Sequence, residues 1–419
     1  MPKKKLSTSS MTTTCFRNIG ELIQIKVDPF PKLKKTSQCA LVVRDGRVEK
    51  IVRDSAIQSS DYSKTIDLHG KAVIPGLVDC HTHLIHAGER KNEMEARARG
   101  KSYLDIMKSG GGIHQTTEAT RKASEEFLYQ SAEQRMSRMM ALGTTAFEIK
   151  SGYGLNLKTE KKMLRVGQKL REYFKVPVAL TYLGAHAVPK GQDKVRYQNS
   201  VIKDLPQFRE LADAVDIFCE RDMFSPSDLR RLFLQAKLLG FQLRAHVEKL
   251  SRQGGCYEAA KLGALSCDHL EHANPTDIRV LQLSGTVAVL MPGVTFFVGG
   301  KKMPPVHGML DAGVTIALAT DCNPGSCPSY NMQTVLYLAA SLYRLTPEKA
   351  LIAATYGSAR AMNCDKDFGG LLPEQRADFL ALKTSDYRDL FYYFGENFVE
   401  QTYSAGKPVK RAHEPFTAL

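Results

Sequence analysis

Apolar stretches of strand length alternate with helix-like segments through most of the chain. Eight such stretches run from about residue 73 to residue 321: VIPGLVDCH, TTAFEIK, PVALTYLGAH, AVDIFCE, QLRAHVE, LSCDHLEH, TVAVLMPG and TIALATD. The segments between them repeat apolar residues with helical spacing, as SDLRRLFLQAKLLG and YNMQTVLYLAASLYRL do, or are long enough to hold a helix. The alternation predicts an α/β fold, a TIM-like (β/α)8 barrel, over residues 73–364.

The two ends of the chain show a different pattern, with short extended runs and turn signals. Within residues 17–72, CALVVRDGRVEKIV places two apolar runs on either side of Asp45 and Gly46, which is typical of a β-hairpin. Residues 365–419 are again extended in character, as in TYSAGKPV. We therefore expect both regions to form one small β-sandwich-like domain, preceded by a basic, Ser/Thr-rich tail over residues 1–16.

The composition is that of an ordinary globular protein. No apolar run in the 419 residues approaches the roughly 20 residues that span a bilayer. The basic N-terminus lacks the apolar segment of a secretory signal. The nine cysteines are scattered without a C-x-x-C spacing, so they indicate neither a disulfide framework nor a structural zinc site. We expect a cytoplasmic, water-soluble protein without a membrane partner.

The formal net charge of +14 raises the alternative of a non-catalytic protein that binds nucleic acid. Apart from the lysines at residues 3–5, however, the basic residues are mixed with acidic ones in helix-like segments such as KTEKKMLRVGQKLREYFK. This mixture is typical of solvated helix faces. No nucleic-acid partner is expected, because an anionic small-molecule substrate suits a positive field equally well.

Histidines and an aspartate end several of the predicted strands. The first strand ends in His81 and His83, the third in His186, the fifth in His246, the sixth in His269 and the eighth in Asp321. In a (β/α)8 barrel these ends meet at one face, where active sites lie. Because residues two apart on a strand share a face, His81 and His83 can bind the same ion. Together with His246 and Asp321 they form a nitrogen and oxygen ligand set that suits zinc or iron.

These residue types point to hydrolysis of a carbon-nitrogen bond. A divalent metal activates water at neutral pH and polarises a carbonyl group. Asp321 can also accept the proton of the water and pass it to the leaving nitrogen. His269 can donate a hydrogen bond to the substrate carbonyl or to the developing oxyanion. The H-x-H pair alone is a weak signal, since core histidines on a strand can have the same spacing.

Longer motifs around the strand ends are more specific than these single residues. They are PGLVDCHTHLIHAGER, SYLDIMKSGGGIHQT, EIKSGYGLNLKTE, YLGAHAVP, DIFCE, DHLEH and ALATDCNPGSCPSYNMQ. Together they resemble the amidohydrolase superfamily and, within it, the imidazolonepropionase family, over about residues 70–375. The resemblance implies hydrolysis of the cyclic amide of 4-imidazolone-5-propanoate to N-formimino-L-glutamate, the third step of histidine degradation. It also implies a homodimer.

The resemblance assigns roles to individual residues. It places the metal ligands at His81, His83, His246 and Asp321 and implies one divalent ion, Zn²⁺ or iron as Fe²⁺ or Fe³⁺. It implies substrate contacts at Arg90, Tyr153, His186, Asn323, Gly325 and Ser326. Arg90 offers a planar fork for the propionate carboxylate. Taken singly, Arg90 could instead form a surface ion pair, and Gly325 could be a turn glycine.

One position departs from the family's pattern. Family members typically read His-x-Asp-Glu after the fifth strand, with the glutamate contacting the substrate, whereas this chain reads His246-Val247-Glu248-Lys249. If the strand continues in extended form, Glu248 shares a face with His246 and supplies the missing catalytic carboxylate. Lys249 then takes the substrate-contacting position. Alternatively, the lysine marks a weakened enzyme or a related amidohydrolase, such as a deaminase or a hydrolase of another anionic lactam.

A second metal ion is not expected. Binuclear amidohydrolases commonly bridge two ions with a modified lysine or a glutamate on the fourth strand. Here the fourth stretch, AVDIFCE, contains no lysine, and Lys150 instead ends the second stretch. Glu220 is a minor candidate for a second ligand.

Overall fold

The computed structural model describes residues 12–101 and 111–409, which form two sheets. One sheet has eight parallel strands in sequential order, and the other has eight mostly antiparallel strands from both chain ends. Within these ranges no helix is long and apolar enough to cross a membrane. Most of the predicted tail, the last ten residues and most of the motif SYLDIMKSGGGIHQT lie outside the described residues.

The chain begins with the strands of the smaller sheet. They are β1 (Thr13–Val27), β2 (Pro31–Arg44), β3 (Arg47–Arg53), β4 (Lys64–Asp67) and β5 (Ala72–Pro75). β1 pairs antiparallel with β2 and in parallel with β4 and β5. It starts inside the stretch predicted as tail, because residues 13–16 already pair with β2. The predicted hairpin is confirmed: Asp45 and Gly46 join β2 to β3 with φ angles of 49° and 81°.

The barrel follows. Its strands are β6 (Leu77–Thr82), β7 (Thr144–Lys150), β8 (Val178–Ala185), β9 (Ala214–Cys219), β10 (Gln242–Val247), β11 (Ser266–His269), β12 (Val287–Leu290) and β13 (Ile316–Leu318). Seven fall within the predicted stretches and β6 extends one residue beyond its stretch, so the (β/α)8 prediction is confirmed. Backbone hydrogen bonds bring the first and last strands together. The Asp321 N–H donates to the His81 carbonyl at 3.1 Å, and the His83 N–H donates to the Cys322 carbonyl at 2.9 Å.

Helices connect the strands. The α-helices are Asn92–Ala98, Ile113–Lys122, Glu125–Ala141, Leu157–Phe174, Lys194–Asp204, Pro226–Leu238, Gly255–Lys261, Pro275–Ser284, Pro292–Val298, Val306–Asp311, Met332–Leu342, Pro347–Ile352, Ser358–Ala361 and Asp389–Tyr392. Short 3₁₀ turns span Asp54–Ala56, Ser59–Asp61 and Leu205–Phe208, and a π-helical turn spans Ala353–Gly357. Capping boxes at Ser225 and Asn274 show why helices begin there: each cap accepts backbone N–H bonds that the first turn leaves free.

The C-terminal part of the chain returns to the smaller sheet as β14 (Phe379–Leu382), β15 (Val399–Ser404) and β16 (Lys407–Pro408). β14 pairs antiparallel with β5 and with β15. Strands from both chain ends therefore lie side by side in one sheet, as the sequence pattern indicated.

Gly76 marks the passage from the smaller sheet to the barrel. The stretch VIPGLVDCH was expected to be one barrel strand, but its first residues lie in β5 and its later residues in β6. The barrel therefore starts after residue 76 and not at residue 73. A Cβ atom at Gly76 would collide with the side chain of Thr145, so glycine is the residue that lets the chain pass here.

Three aromatic rings form the centre of the smaller sheet's core. The Phe379 and Tyr403 rings stack with centroids 4.5 Å apart, and the Phe16 ring meets both edge-on at 4.9 Å and 5.0 Å. Phe16 on β1, Phe379 on β14 and Tyr403 on β15 thus bring N-terminal and C-terminal strands into one core.

We expect Phe16→Ala to lower the free energy of unfolding by about 3–5 kcal/mol, because the substitution opens a cavity in this core. Phe30→Ala is the matched control: its ring is 63% exposed, and the change should stay within about 0.5 kcal/mol. Denaturant titration of both variants measures the difference. Equal stability of the two variants would contradict the core described here.

Candidate active site

A cavity lies at the carboxyl ends of the barrel strands. Apolar side chains form part of its wall, namely Ile113, Phe218, Leu250, Val294 and Val298. The rest of the wall consists of residues that were predicted for the site: His83, Arg90, Tyr153, His186, His246, Lys249, Asp321, Asn323 and Ser326. Residues far apart in the sequence thus meet in one cavity that polar and apolar side chains line together.

The histidines at the strand ends form a group that fits a metal ion. His81, His83 and His246 each offer a ring nitrogen, and these atoms lie within 4.8 Å of one another. Asp321 Oδ1 lies 3.4 Å from the Nε2 atoms of both His81 and His83. Among the described residues, the buried Nε2 atoms of His81 and His246 have no hydrogen-bond partner. Imidazole nitrogens and a carboxylate in such an arrangement fit zinc or iron.

Two aspartates orient these imidazoles from behind. Asp268 Oδ2 lies 2.6 Å from His81 Nδ1, and Asp216 Oδ1 lies 3.1 Å from His246 Nδ1. Each carboxylate accepts a hydrogen bond from an Nδ1–H group. The proton therefore stays on Nδ1, and the Nε2 lone pair is free to bind a metal. Neither aspartate was assigned a role from the sequence.

Burial sets the protonation of the histidines unequally. It lowers the pKa of His83 and of His246, so these imidazoles are neutral and able to bind a metal. For His81, burial and Lys150 oppose protonation, but the hydrogen bond to Asp268 and the nearby charges of Asp268 and Asp321 outweigh them and raise the pKa to about 9. A metal at His81 therefore has to replace a proton.

Asp321 is ionised. Burial opposes ionisation, but Lys249 and His81 hold the pKa of Asp321 well below its ordinary value. The Ser326 hydroxyl also donates to Asp321 Oδ2 at 3.3 Å. An ionised carboxylate among buried histidines can serve as a metal ligand and as a proton acceptor.

Asn323 organises the loop after Asp321. Its side-chain amide donates to the Asp321 carbonyl at 2.6 Å, and its side-chain oxygen accepts the backbone N–H groups of Gly325 and Ser326, both at 2.8 Å. Asn323 thus holds Ser326 beside Asp321 in addition to lining the cavity.

His186 and Tyr153 line the cavity beside His83. The His186 ring stacks on His83 with centroids 5.1 Å apart, and Tyr153 lies 5.5 Å from His186. Burial, followed by the neighbouring His246, lowers the pKa of His186 to about 3, so its ring is neutral. Its Nδ1 donates to the Gly152 carbonyl at 3.0 Å, which leaves Nε2 as an acceptor.

Arg90 brings a cation with unused donors to the cavity. Its side chain is 3% exposed, and its nearest carboxylate, Glu93 Oε1, is 3.9 Å away. Its Nε and Nη1 atoms have no hydrogen-bond partner in the described part of the chain. Gly325 does not line the cavity; a Cβ atom there would collide with the Arg90 guanidinium. The absence of a side chain at Gly325 therefore makes room for Arg90.

His269 is a buried neighbour of Asp321. Its Nε2 is 4.0 Å from Asp321 Oδ2, and neither ring nitrogen has a hydrogen-bond partner within the described ranges. Burial, followed by Lys249, holds the pKa of His269 well below its ordinary value. His269, His81 and Asp321 also form a group whose ligand atoms lie close enough to share an ion.

The prediction for Glu248 is wrong. Strand β10 ends at Val247, and Glu248 has a left-handed backbone with a φ of 54°, so the alternation of faces stops there. Its carboxylate accepts the N–H groups of Gln253 at 2.7 Å, Gly254 at 2.9 Å and Cys256 at 3.2 Å. Glu248 therefore holds the start of helix Gly255–Lys261 and does not face the histidines.

Lys249 occupies the cavity instead. Its side chain is 19% exposed, and its Nζ atom lies 3.7 Å from Asp321 Oδ2. Glu220, the minor candidate for a second ligand, accepts the N–H groups of Leu250 at 2.7 Å and Arg221 at 2.8 Å. Its carboxylate thus fixes the loop that carries Lys249.

Like Asp216 and Asp268, Glu160 supports the site but was not identified from the sequence. Its carboxylate accepts the N–H groups of Gly152 at 2.9 Å and of Gly154 and Leu155 at 2.7 Å, which fixes the loop around Tyr153. The available signal was its place at the end of the motif EIKSGYGLNLKTE. For Asp216 the signal was a charged residue within a strand that is otherwise apolar, and for Asp268 it was a charged residue next to a strand-end histidine.

Known proteins resemble this chain in sequence. A model of the amidohydrolase family matches residues 72–409. The imidazolonepropionase of Acinetobacter baumannii (strain ACICU) is 40% identical over 376 residues, which cover 88% of this chain and 94% of the relative. That of Geobacillus kaustophilus (strain HTA426) is 40% identical over 373 residues, 88% of each chain.

Solved structures share the fold at much lower identity. A zinc-bound adenosine deaminase from Xanthomonas campestris has a TM-score of 0.72 at 16% identity, over 95% of this chain and 92% of that chain. A guanine deaminase from C. acetobutylicum has a TM-score of 0.72 at 14% identity, over 95% and 100%. These likenesses concern the fold alone. The family match and the identities to the curated relatives show that this chain, a hydrolase, belongs to the amidohydrolase family and, within it, to the imidazolonepropionases.

Proposed function

We propose that this protein hydrolyses 4-imidazolone-5-propanoate to N-formimino-L-glutamate, the third step of histidine degradation. The observation that carries the proposal is the meeting of three groups in one cavity: the histidine cluster, the ionised Asp321 and the guanidinium of Arg90. The named relatives support the same substrate.

One divalent metal ion, Zn²⁺ or iron, would be held by His81, His83, His246 and Asp321. When bound, such an ion acidifies a water molecule and polarises the carbonyl group under attack. The cluster contains imidazole nitrogens and one carboxylate, a set that zinc and iron share, so the proposal leaves the choice between them to metal analysis.

Asp321 would carry the proton in this reaction. The oxygen of water adds to the ring carbonyl carbon, the bond from that carbon to the ring nitrogen breaks, and the carbonyl becomes a carboxylate. Asp321 would accept one proton of the water and pass it to the departing nitrogen, and the second proton would leave when the new carboxyl group ionises. His269, 4.0 Å from Asp321, would donate a hydrogen bond to the oxygen that becomes negative.

The substrate's propionate would bind Arg90, whose unused donors and low exposure suit a carboxylate. Tyr153 and the neutral His186 would contact the ring, with His186 Nε2 accepting a ring N–H. Ser326 and Asn323 would contact the substrate from the loop after Asp321. Gly325 would contribute by leaving space for Arg90.

Lys249 would bind the second negative charge of the product. Ring opening turns the carbonyl into a carboxylate, and the Lys249 ammonium lies 3.7 Å from Asp321, where that carboxylate forms. The same lysine supports the second candidate, a related amidohydrolase acting as a deaminase or on another anionic lactam. Turnover of different substrates by the purified protein separates the two candidates.

We also propose a cytoplasmic homodimer. The nine cysteines are all unpaired, as in proteins of reducing compartments. The resemblance to the imidazolonepropionases supports the dimer. Light scattering on the purified protein measures the oligomeric state.

We expect wild-type protein loaded with zinc or iron to form formiminoglutamate from freshly generated imidazolone propionate. Asp321→Asn should lower kcat by roughly a hundredfold or more, because the amide cannot accept the proton. Asp311→Asn, at an exposed helix end, is the control and should leave kcat unchanged. No formiminoglutamate from metal-loaded wild type would refute the substrate assignment.

Arg90→Lys should raise KM for the same substrate about tenfold, since a point charge replaces a fork that can bind a carboxylate through two donors. Arg99→Lys provides the comparison, because the Arg99 side chain is 79% exposed. Steady-state kinetics measure both variants. An unchanged KM in Arg90→Lys would place the propionate elsewhere.

Lys249→Met should weaken inhibition by formiminoglutamate about tenfold, because the product carries two carboxylates and loses one cationic partner. Lys203→Met, at an exposed position, serves as its control. Lys249→Glu should be slower than wild type. Faster turnover in Lys249→Glu would instead identify a relative whose natural substrate differs.

A further inference from the structure

A buried lysine, Lys150, contacts the carboxylates that support the candidate metal ligands. Lys150 ends strand β7, and its side chain is 0% exposed. Its Nζ atom lies 2.8 Å from Asp216 Oδ2, 2.9 Å from Glu148 Oε1 and 3.6 Å from Asp268 Oδ2. The ammonium group thus holds three fully buried carboxylates together.

Two of these carboxylates are the ones that orient metal-binding histidines. Asp268 contacts His81 Nδ1 at 2.6 Å, and Asp216 contacts His246 Nδ1 at 3.0 Å. His81 lies on β6 and His246 on β10, so the two imidazoles come from strands that are not neighbours in the barrel. Lys150 contacts both aspartates that support these imidazoles.

The lysine is charged. Burial favours the neutral amine, but Asp216 and Glu148 outweigh burial and raise the pKa of Lys150 above its ordinary value. Without this cation, Asp216 and Asp268 would be like charges facing each other in a buried space. Repulsion in so low a dielectric is strong, and it would turn the carboxylates away from the imidazoles.

We propose that Lys150 is a positioning residue that holds Asp216 and Asp268 against the Nδ1 atoms of His246 and His81, so that both histidines present Nε2 to the metal. The inference rests on the proposed metal site, and it deepens the description of that site. No role in proton transfer is assigned to Lys150.

Arg244 offers a matched comparison within the same barrel interior. Its side chain is also 0% exposed, and its Nε atom lies 3.9 Å from Glu148 Oε1. Its Nη1 atom donates to the Ala361 carbonyl at 2.6 Å. Arg244 therefore shares Glu148 with Lys150; it lies opposite Asp216 in the β9–β10 ladder, but within the described ranges its side chain forms no ion pair with Asp216 or Asp268. A purely structural role of the buried cations would make Lys150 and Arg244 equivalent in their effect on metal binding.

The experiment compares Lys150→Met with Arg244→Met in the full chain. Zinc affinity is measured by competition with a chromogenic chelator, the melting temperature by calorimetry, and the tautomer of the neutral His246 by ¹⁵N NMR of the metal-free protein. We expect Lys150→Met to weaken zinc binding by roughly ten- to a hundredfold and to move the His246 proton from Nδ1 to Nε2 in part of the molecules. Arg244→Met should lower the melting temperature and leave zinc affinity within about threefold of wild type, below the losses typical of groups that orient ligands.

A second variant covers the case in which Lys150→Met does not fold. Lys150→Met combined with Glu148→Gln removes one buried cation together with one buried anion. Glu148 is chosen because, of the three carboxylates around Lys150, it is the one that is not bonded to a metal-binding histidine. This double variant should show the same loss of zinc affinity and the same change of tautomer.

Wild-type zinc affinity and tautomers in a folded Lys150 variant would overturn the proposal, as would an equal loss in Arg244→Met. Turnover of imidazolone propionate by wild type is measured in parallel. If wild type binds zinc but lacks turnover, the substrate assignment fails while the role of Lys150 stands. If wild type turns over and the Lys150 variants bind zinc normally, only the role of Lys150 fails.

Discussion

Two backbone hydrogen bonds join the first and last barrel strands, and the rest of the site depends on them. The Asp321 N–H donates to the His81 carbonyl, and the His83 N–H donates to the Cys322 carbonyl. In an open sheet these residues would lie at opposite edges. Because closure passes through the candidate ligands themselves, completing the fold and assembling the ligand cluster are the same event.

The interior that this closure creates is unusually polar for a barrel core. Glu148, Lys150, Asp216, Arg244 and Asp268 are all 0% exposed and all lie on barrel strands. Buried ion pairs contribute little net stability, because desolvation offsets their attraction. The stability must therefore come mainly from the extensive apolar clusters between strands and helices and from the aromatic core of the smaller sheet. The charged interior is better understood as support for the imidazoles than as a source of stability.

Much of this arrangement could be predicted from the sequence. The strands were recognisable from their apolar stretches, and the ligand cluster from the histidines and the aspartate at strand ends. The start of the barrel after Gly76 could not be predicted, because the apolar stretch continues through the glycine from one sheet into the other. The pairing of Asp216 with His246 depends on the register between two strands, which a single sequence does not reveal. The error at Glu248 arose because nothing in the alternation marks a left-handed residue at the end of β10.

The left-handed backbone at Glu248 gives adjacent positions different roles: residue 248 holds the loop, and residue 249 lines the cavity. Glu248 is committed to the backbone of its own loop through three accepted N–H groups. Lys249 contacts the cavity, and its side chain is partly exposed. Selection can therefore change the charge of the cavity at position 249 without disturbing the local fold, while position 248 is held by stability alone. In this chain, such a division leaves position 249 able to change the charge of the cavity by a single substitution.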